Sequence, residues 1–187
     1  MPFNMLVTSC YIQETSFKDK GADSPNISIR LKSPDSERLI FFVIDENNNP
    51  KSQFRQFFNM NVSGENICDL LIYYTDNGIG ENSLTIIESK GTDFDKAADQ
   101  IINTFNKLKS KKEFCNNSYC KGLILKACCV SKRAKIVGMD DKKKRAEKKV
   151  IEKTGLKSRD CAFIEPDDLY GFINGTKAAI RNKRSRK

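Results

Sequence analysis

Residues 67–91, ICDLLIYYTDNGIGENSLTIIESKG, decide how this chain folds. The run 67–74 is rich in β-branched and aromatic side chains, 75–83 is dense in turn formers, and 84–90 resumes the strand pattern before Gly91 ends it. Together they predict a β-hairpin. Charges inside it stand out, because a strand bordering a core favours apolar or neutral residues, yet Asp69 interrupts the first strand and Glu88 and Lys90 the second. Residues two apart on a strand share a face, so Glu88 and Lys90 point the same way. Folding the turn about a centre near Ile79 sets residue 69 opposite roughly residue 89, beside Glu88 and Lys90. Register decides whether Asp69 joins their face.

Downstream, Thr92-x-x-Asp95 resembles a capping box with Asp in place of Glu, and Phe94, Ala97, Ala98, Ile101, Ile102, Phe105 and Leu108 recur at the spacing of one helical stripe. A polar loop over 110–119 leads to 122–130, GLILKACCV, a second predicted buried strand. Residues 140–154 then predict a basic helix, with Asp140 or Asp141 near its N-cap and Gly155 at its C-cap position. Its apolar stripe, Met139, Ala146, Val150 and Ile151, is thin. Residues 161–164 suit a last short strand, and Pro166 opens a short helix. Upstream, 27–31 (ISIRL) and 39–44 (LIFFVI) predict strands, whereas 5–17 fits helix or strand equally.

The 187 residues suit one domain, taken as 1–180, followed by a basic tail at 181–187. A mean hydropathy of -0.54 and 30% charged residues place the chain among soluble globular proteins. No apolar run approaches the roughly 20 residues of a membrane-spanning helix, and the N-terminus lacks a secretory pattern, so a cytoplasmic protein with no membrane partner is expected. Seven scattered cysteines, an odd number, give neither a disulfide framework nor a zinc pattern, and are read as reduced thiols. Histidine is absent. That excludes His-assisted serine and cysteine hydrolases, zincins and His-dependent nucleases, so any catalysis here runs on carboxylates, lysine and a metal.

Net charge is +9, with the excess in the C-terminal half. The runs 142–149 (KKKRAEKK) and 181–187 (RNKRSRK) are candidate phosphate contacts through Lys142, Lys143, Lys144, Arg145, Lys148, Lys149, Arg181, Lys183 and Arg184. A solvated basic surface accounts for either run equally well.

Two carboxylates forced together at a sheet end repel each other and call for a cation. Magnesium or manganese suits a set of Asp69, Glu88 and the Ile87 carbonyl, with positions left for water and a phosphate oxygen. Lys90 would orient or help deprotonate the attacking water, or offset charge on the scissile phosphate. The same residue types also make an ordinary cross-strand salt bridge.

The order Asp69, a turn, then Ile86-Ile87-Glu88-Ser89-Lys90-Gly91 followed directly by an amphipathic helix resembles the PD-(D/E)XK nuclease superfamily over roughly residues 60–130. The resemblance implies an α/β (α+β) fold, a central mixed β-sheet flanked by helices with a restriction-endonuclease-like core. It also implies a Mg2+- or Mn2+-dependent endonuclease that hydrolyses phosphodiester bonds, on DNA rather than RNA since the family mostly cleaves DNA. Asp69 and Glu88 would be metal ligands and Lys90 the catalytic lysine. Gln100 matches the glutamine that some members carry in the following helix, where it supports the site, and Glu14 is the best placed candidate for the glutamate that many members carry on an N-terminal helix. The family's proline before the first acid is missing, since Ile67 and Cys68 stand there. Members of this kind serve in defence against foreign DNA, in repair, or beside a larger partner complex, and many cut both strands as homodimers. The alternatives are a non-catalytic nucleic-acid-binding protein and a partner-binding subunit on a degenerate nuclease fold.

Overall fold

A computed structural model of the chain describes residues 11–12, 16–18, 28–31, 35–45, 53–59, 66–76, 82–111, 122–132 and 138–175. The strands are β1 (Tyr11–Ile12), β2 (Ser16–Lys18), β3 (Ser28–Arg30), β4 (Glu37–Val43), β5 (Leu70–Asp76), β6 (Asn82–Ser89), β7 (Leu123–Val130) and β8 (Cys161–Ile164). The helices are α1 (Gln53–Phe57), α2 (Phe94–Ser110), α3 (Asp140–Thr154) and α4 (Leu169–Ile173). One mixed six-stranded sheet runs in the order β1-β4-β5-β6-β7-β8, and β2 pairs with β3 separately. The β1, β4, β5 and β6 strands are antiparallel to one another in turn, whereas β7 and β8 run parallel to β6.

That change of direction follows from the connections. A short turn-rich link returns β6 antiparallel to β5, while α2 and α3 are the crossovers that bring β7 and β8 back parallel. The central strands are apolar on both sides because both faces are covered. One face, with Phe42, Leu71, Ile86, Cys129 and Phe163, packs against Phe54 of α1, Ala97, Ile101 and Phe105 of α2, and Ala146 and Val150 of α3. The other, with Phe41, Ile72, Ile87, Cys128 and Ile164, packs against Leu169, Phe172 and Ile173 of α4 and against Ile29 and Leu31. The fold is therefore α/β, a central mixed sheet flanked by helices, as expected.

The N-cap of α2 differs from expectation, whereas the ends of α3 follow it. Asp93 rather than Thr92 caps α2, its carboxylate accepting from the Lys96 N–H at 3.0 Å, while the Thr92 carbonyl accepts from Phe94 N–H. Phe94 thus opens the helix, its ring buried beside Phe163 at 5.8 Å between centroids. At α3, Met139 occupies the cap position and Asp140 and Asp141 follow it directly in the first turn, near the N-cap as expected. There they favour the positive end of the helix dipole. Gly155 terminates α3 at φ 73°, a left-handed conformation that costs other residues strain.

Lys126 is a core residue within β7, on the α4 face. Its ammonium donates to the carbonyls of Phe172 and Ile173, fastening the last turn of α4 to the sheet.

Candidate active site

The β5–β6 ladder pairs Leu70 with Ile87, so the register extended by one residue sets Asp69 directly opposite Glu88. This is one residue from the pairing expected from a turn at Ile79, and it decides the chemistry. Opposite residues share a face, and Asp69 thereby stands with Leu71, and Glu88 with Ile86, on the side covered by α1, α2 and α3. A one-residue slip would send Asp69 through the sheet. The pair stands at the carboxyl ends of β6, β7 and β8, the end of an open parallel sheet where ligands bind.

Asp69 is held from several sides. Its Oδ2 accepts from the Ser89 N–H at 2.7 Å, and its carbonyl accepts from the N–H of Ile44 at 3.0 Å. Glu88 is fully buried, with Cys129 as its neighbour on β7. Lys90 Nζ stands 2.8 Å from Glu88 Oε1, and the Lys90 side chain keeps 24% of its exposure. This is an ion pair at the distance of a charge-assisted hydrogen bond, and it leaves Glu88 Oε2 buried with no hydrogen-bonding partner among the described residues.

Electrostatics follow from this geometry. Burial pushes the Glu88 carboxyl well above the usual carboxylate range, the charge of Asp69 adds to the rise, and Lys90 only partly offsets it. Burial works to lower Lys90, but Glu88 and Asp69 outweigh it and hold the ammonium above its ordinary value. Cys68 and Cys129 lie near the pair, and burial foremost, then Glu88, pushes both thiols well up. They stay neutral, which leaves oxygen as the site's charged donor chemistry.

Two site features escaped the sequence reading. Asp45, just beyond β4, donates its N–H to the Asp69 carbonyl at 3.5 Å, and its charge contributes to the rise at Glu88. Its carboxylate is paired at 2.7 Å with Arg55 of α1, which is nearly buried. No periodicity marked either residue, because Asp45 stands at the start of an Asn-rich run in the sequence and α1 is only five residues long. The second feature is Ser89. Since the Lys90 N–H bonds the Val130 carbonyl, backbone groups alternate along β6, those of Ile87 and Ser89 turning toward β5. The Ile87 carbonyl is thus paired with Leu70 in the ladder, and its side chain is on the α4 face. The Ser89 carbonyl, past the last ladder pair, is the one on the Asp69 side.

Gln100 lies on the face of α2 turned to the sheet, where its Nε2 donates to the Ile67 carbonyl at 2.9 Å. Glu14, Arg181, Lys183 and Arg184 lie outside the described residues. On α3, Lys142, Lys144, Arg145 and Lys148 are exposed, whereas Lys143 and Lys149 are half-buried. Lys149 pairs with Asp99 of α2 at 2.7 Å, and Lys148 stands 3.6 Å from Glu152.

A hard divalent ion fits the donor chemistry here. Glu88 offers a buried oxygen without a hydrogen bond beside the one paired to Lys90, and Asp69 opposes it across the ladder. Among the described residues no group of three or more His, Cys, Asp or Glu side chains could hold a metal ion. Any such ion would therefore complete its shell with backbone carbonyl, water and substrate oxygens, as magnesium commonly does. No helix among the described residues is long and apolar enough to cross a membrane. Comparison with protein-family models, with characterised proteins and with solved structures gave no match.

Proposed function

We propose that this protein is a Mg2+- or Mn2+-dependent nuclease that hydrolyses phosphodiester bonds of DNA, on a restriction-endonuclease-like core of the PD-(D/E)XK kind. The observation that carries the reading is the meeting of Asp69, Glu88 and Lys90 on one face at one sheet end, with the Glu88 carboxylate buried and only one of its oxygens paired, to Lys90. A structural salt bridge does not need the second acid, which raises the cost of ionising the first.

In this reading Asp69, aimed by the Ser89 N–H, and Glu88, held rigid by burial, are the carboxylates that hold the ion, with the Ser89 carbonyl as the neighbouring neutral donor. A divalent ion bound there supplies a Lewis acid that makes water a stronger nucleophile and offsets phosphate charge. Lys90, still reaching solvent and held protonated, donates to a phosphate oxygen and stabilises the negative charge that builds during attack. The exposed cations of α3 bind the backbone of the polymer without reading sequence.

The test is cleavage of supercoiled, linear and single-stranded DNA, and of RNA, in Mg2+, Mn2+ or EDTA, by the protein and its Asp69→Ala, Glu88→Ala and Lys90→Ala variants. Cleavage with either ion, abolished by EDTA and by each substitution, is expected. Robust cleavage by the triple variant would refute the assignment. DNA binding with no cleavage under any condition would instead favour a non-catalytic nucleic-acid-binding protein, in which Glu88 and Lys90 simply pair.

A further inference from the structure

The four residues before β5 are not strand, so their backbone groups need partners outside the ladder. One turn of α2 provides them. Asn103 Nδ2 donates to the Asn66 carbonyl at 2.8 Å, Gln100 Nε2 to the Ile67 carbonyl at 2.9 Å, and Thr104 Oγ1 accepts from the Cys68 N–H at 2.9 Å. Residues at i, i+3 and i+4 of a helix lie on one side, so these three bonds make a clamp running along the chain and stopping one residue short of Asp69. Thr104 is fully buried, as is Cys68, so water cannot replace that bond. From Asp69 onward the control passes to the sheet, through Ile44 N–H on its carbonyl and Ser89 N–H on its carboxylate.

We infer that Thr104, with Asn103 beside it, is a positioning residue of the candidate active site, clamping the approach to β5 so that the Asp69 carboxylate faces Glu88. A purely structural threonine could fill this space as well as valine does. The hydroxyl matters because the Cys68 peptide precedes Asp69 directly, and a rotation there swings the carboxylate off the Ser89 N–H. Proline would be the covalent way to stiffen such an approach, and Ile67 and Cys68 stand where one would be. The helix clamp does the same work through hydrogen bonds. The inference deepens the metal-nuclease reading and rests on it for the consequence at the ion, but not for the aim of Asp69.

The experiment compares the full chain with its Thr104→Val, Thr104→Ser and Asn103→Ala variants, using two readouts. The first is the Ser89 backbone amide by NMR, its proton shift and its hydrogen-exchange rate, with Asp69→Ala as the reference for a broken bond. The second is Mn2+ affinity by calorimetry with the ion alone. Thr104→Val is expected to move the Ser89 amide toward the Asp69→Ala position and to weaken Mn2+ binding about 10-fold or more, the usual effect of losing an outer-shell support. Thr104→Ser should restore both. Asn103→Ala, at a half-exposed site, should shift the amide in the same direction by less, and it keeps the test usable if Thr104→Val does not fold. A Thr104→Val protein that is less stable yet keeps the wild-type Ser89 amide and Mn2+ affinity overturns the inference, as does Asn103→Ala with an unmoved amide where Thr104→Val cannot be made. If the wild-type chain binds no Mn2+ while Thr104→Val still displaces the Ser89 amide, the clamp stands and the metal reading falls.

Discussion

Replacing Glu88 by glutamine should make the ion-free protein more stable, and magnesium should reverse the order. In the folded state the carboxylate is fully buried, opposes Asp69 across the ladder and has Lys90 at one oxygen but no hydrogen-bonding partner at the other. Glutamine has nearly the same shape, removes the buried charge and can donate its amide to Asp69, so repulsion becomes attraction. Breaking the ion pair with Lys90 matters less, because that side chain retains 24% of its exposure and its ammonium can return to water. Stabilising substitutions of this kind are worth about 1 kcal/mol, or roughly 2–4 °C in Tm for a chain of this size.

Protons give the sign an independent check. Burial holds Glu88 protonated above the ordinary carboxylate range. Its contribution to stability is therefore fully present below the unfolded-state value and is lost as pH rises through the folded one. The wild-type chain should lose stability over that interval, and Glu88→Gln should lack that component of the slope. Adding Mg2+ to about 100 times its Kd stabilises a binding protein by about 2.7 kcal/mol, roughly 5–10 °C here. Wild type should gain this and the variant should not, so the two melting curves exchange places. Differential scanning fluorimetry across pH, with and without Mg2+, reads all of it. A Glu88→Gln protein less stable than wild type at neutral pH without ions, or equal Mg2+ shifts in both, would refute the reasoning.

Other perturbations separate the site from its scaffold. Lys90→Met should lower the rate of cleavage about 10²- to 10³-fold, the range for losing a donor to developing charge, while calorimetry still detects Mn2+ binding. Arg55→Met strips the partner from Asp45 in a nearly buried pair, and chemical denaturation should show a loss of about 3 kcal/mol. Lys126→Met leaves the Phe172 and Ile173 carbonyls without their buried donor, expected to cost about 1–3 kcal/mol and to speed hydrogen exchange in α4 before β6 or β7 responds. Reversing Lys142, Lys144 and Arg145 together to glutamate should weaken DNA binding irrespective of sequence and flatten the plot of log affinity against log salt, by about 0.9 for each phosphate no longer neutralised.

Much of this architecture is legible in the chain because its signals are local. The hairpin, the stripe of α2, the glycine beyond α3 and the short strand β8 each follow from periodicity or from one conformationally special residue, and all are present. The convergence of Asp69 with Glu88 and Lys90 could be stated only as a condition on register. The short helix α1 carried no readable period, and with it went Arg55 and its hold on Asp45. The positive run in α3 was visible, but not which lysines it leaves in water and which it commits to ion pairs.

What the amino-acid order determined by itself was the set of elements and the chemistry open to them: without histidine, any hydrolytic work would fall to carboxylates and a lysine. Tertiary structure alone decided that Leu70 pairs with Ile87, that Glu88 is shut away from water, and that three side chains of α2 grip the backbone ahead of Asp69. The physical reason is that local propensity acts over a few residues, whereas the register pairing and the cross-element hydrogen bonds named here join residues 17 to 37 positions apart along the chain.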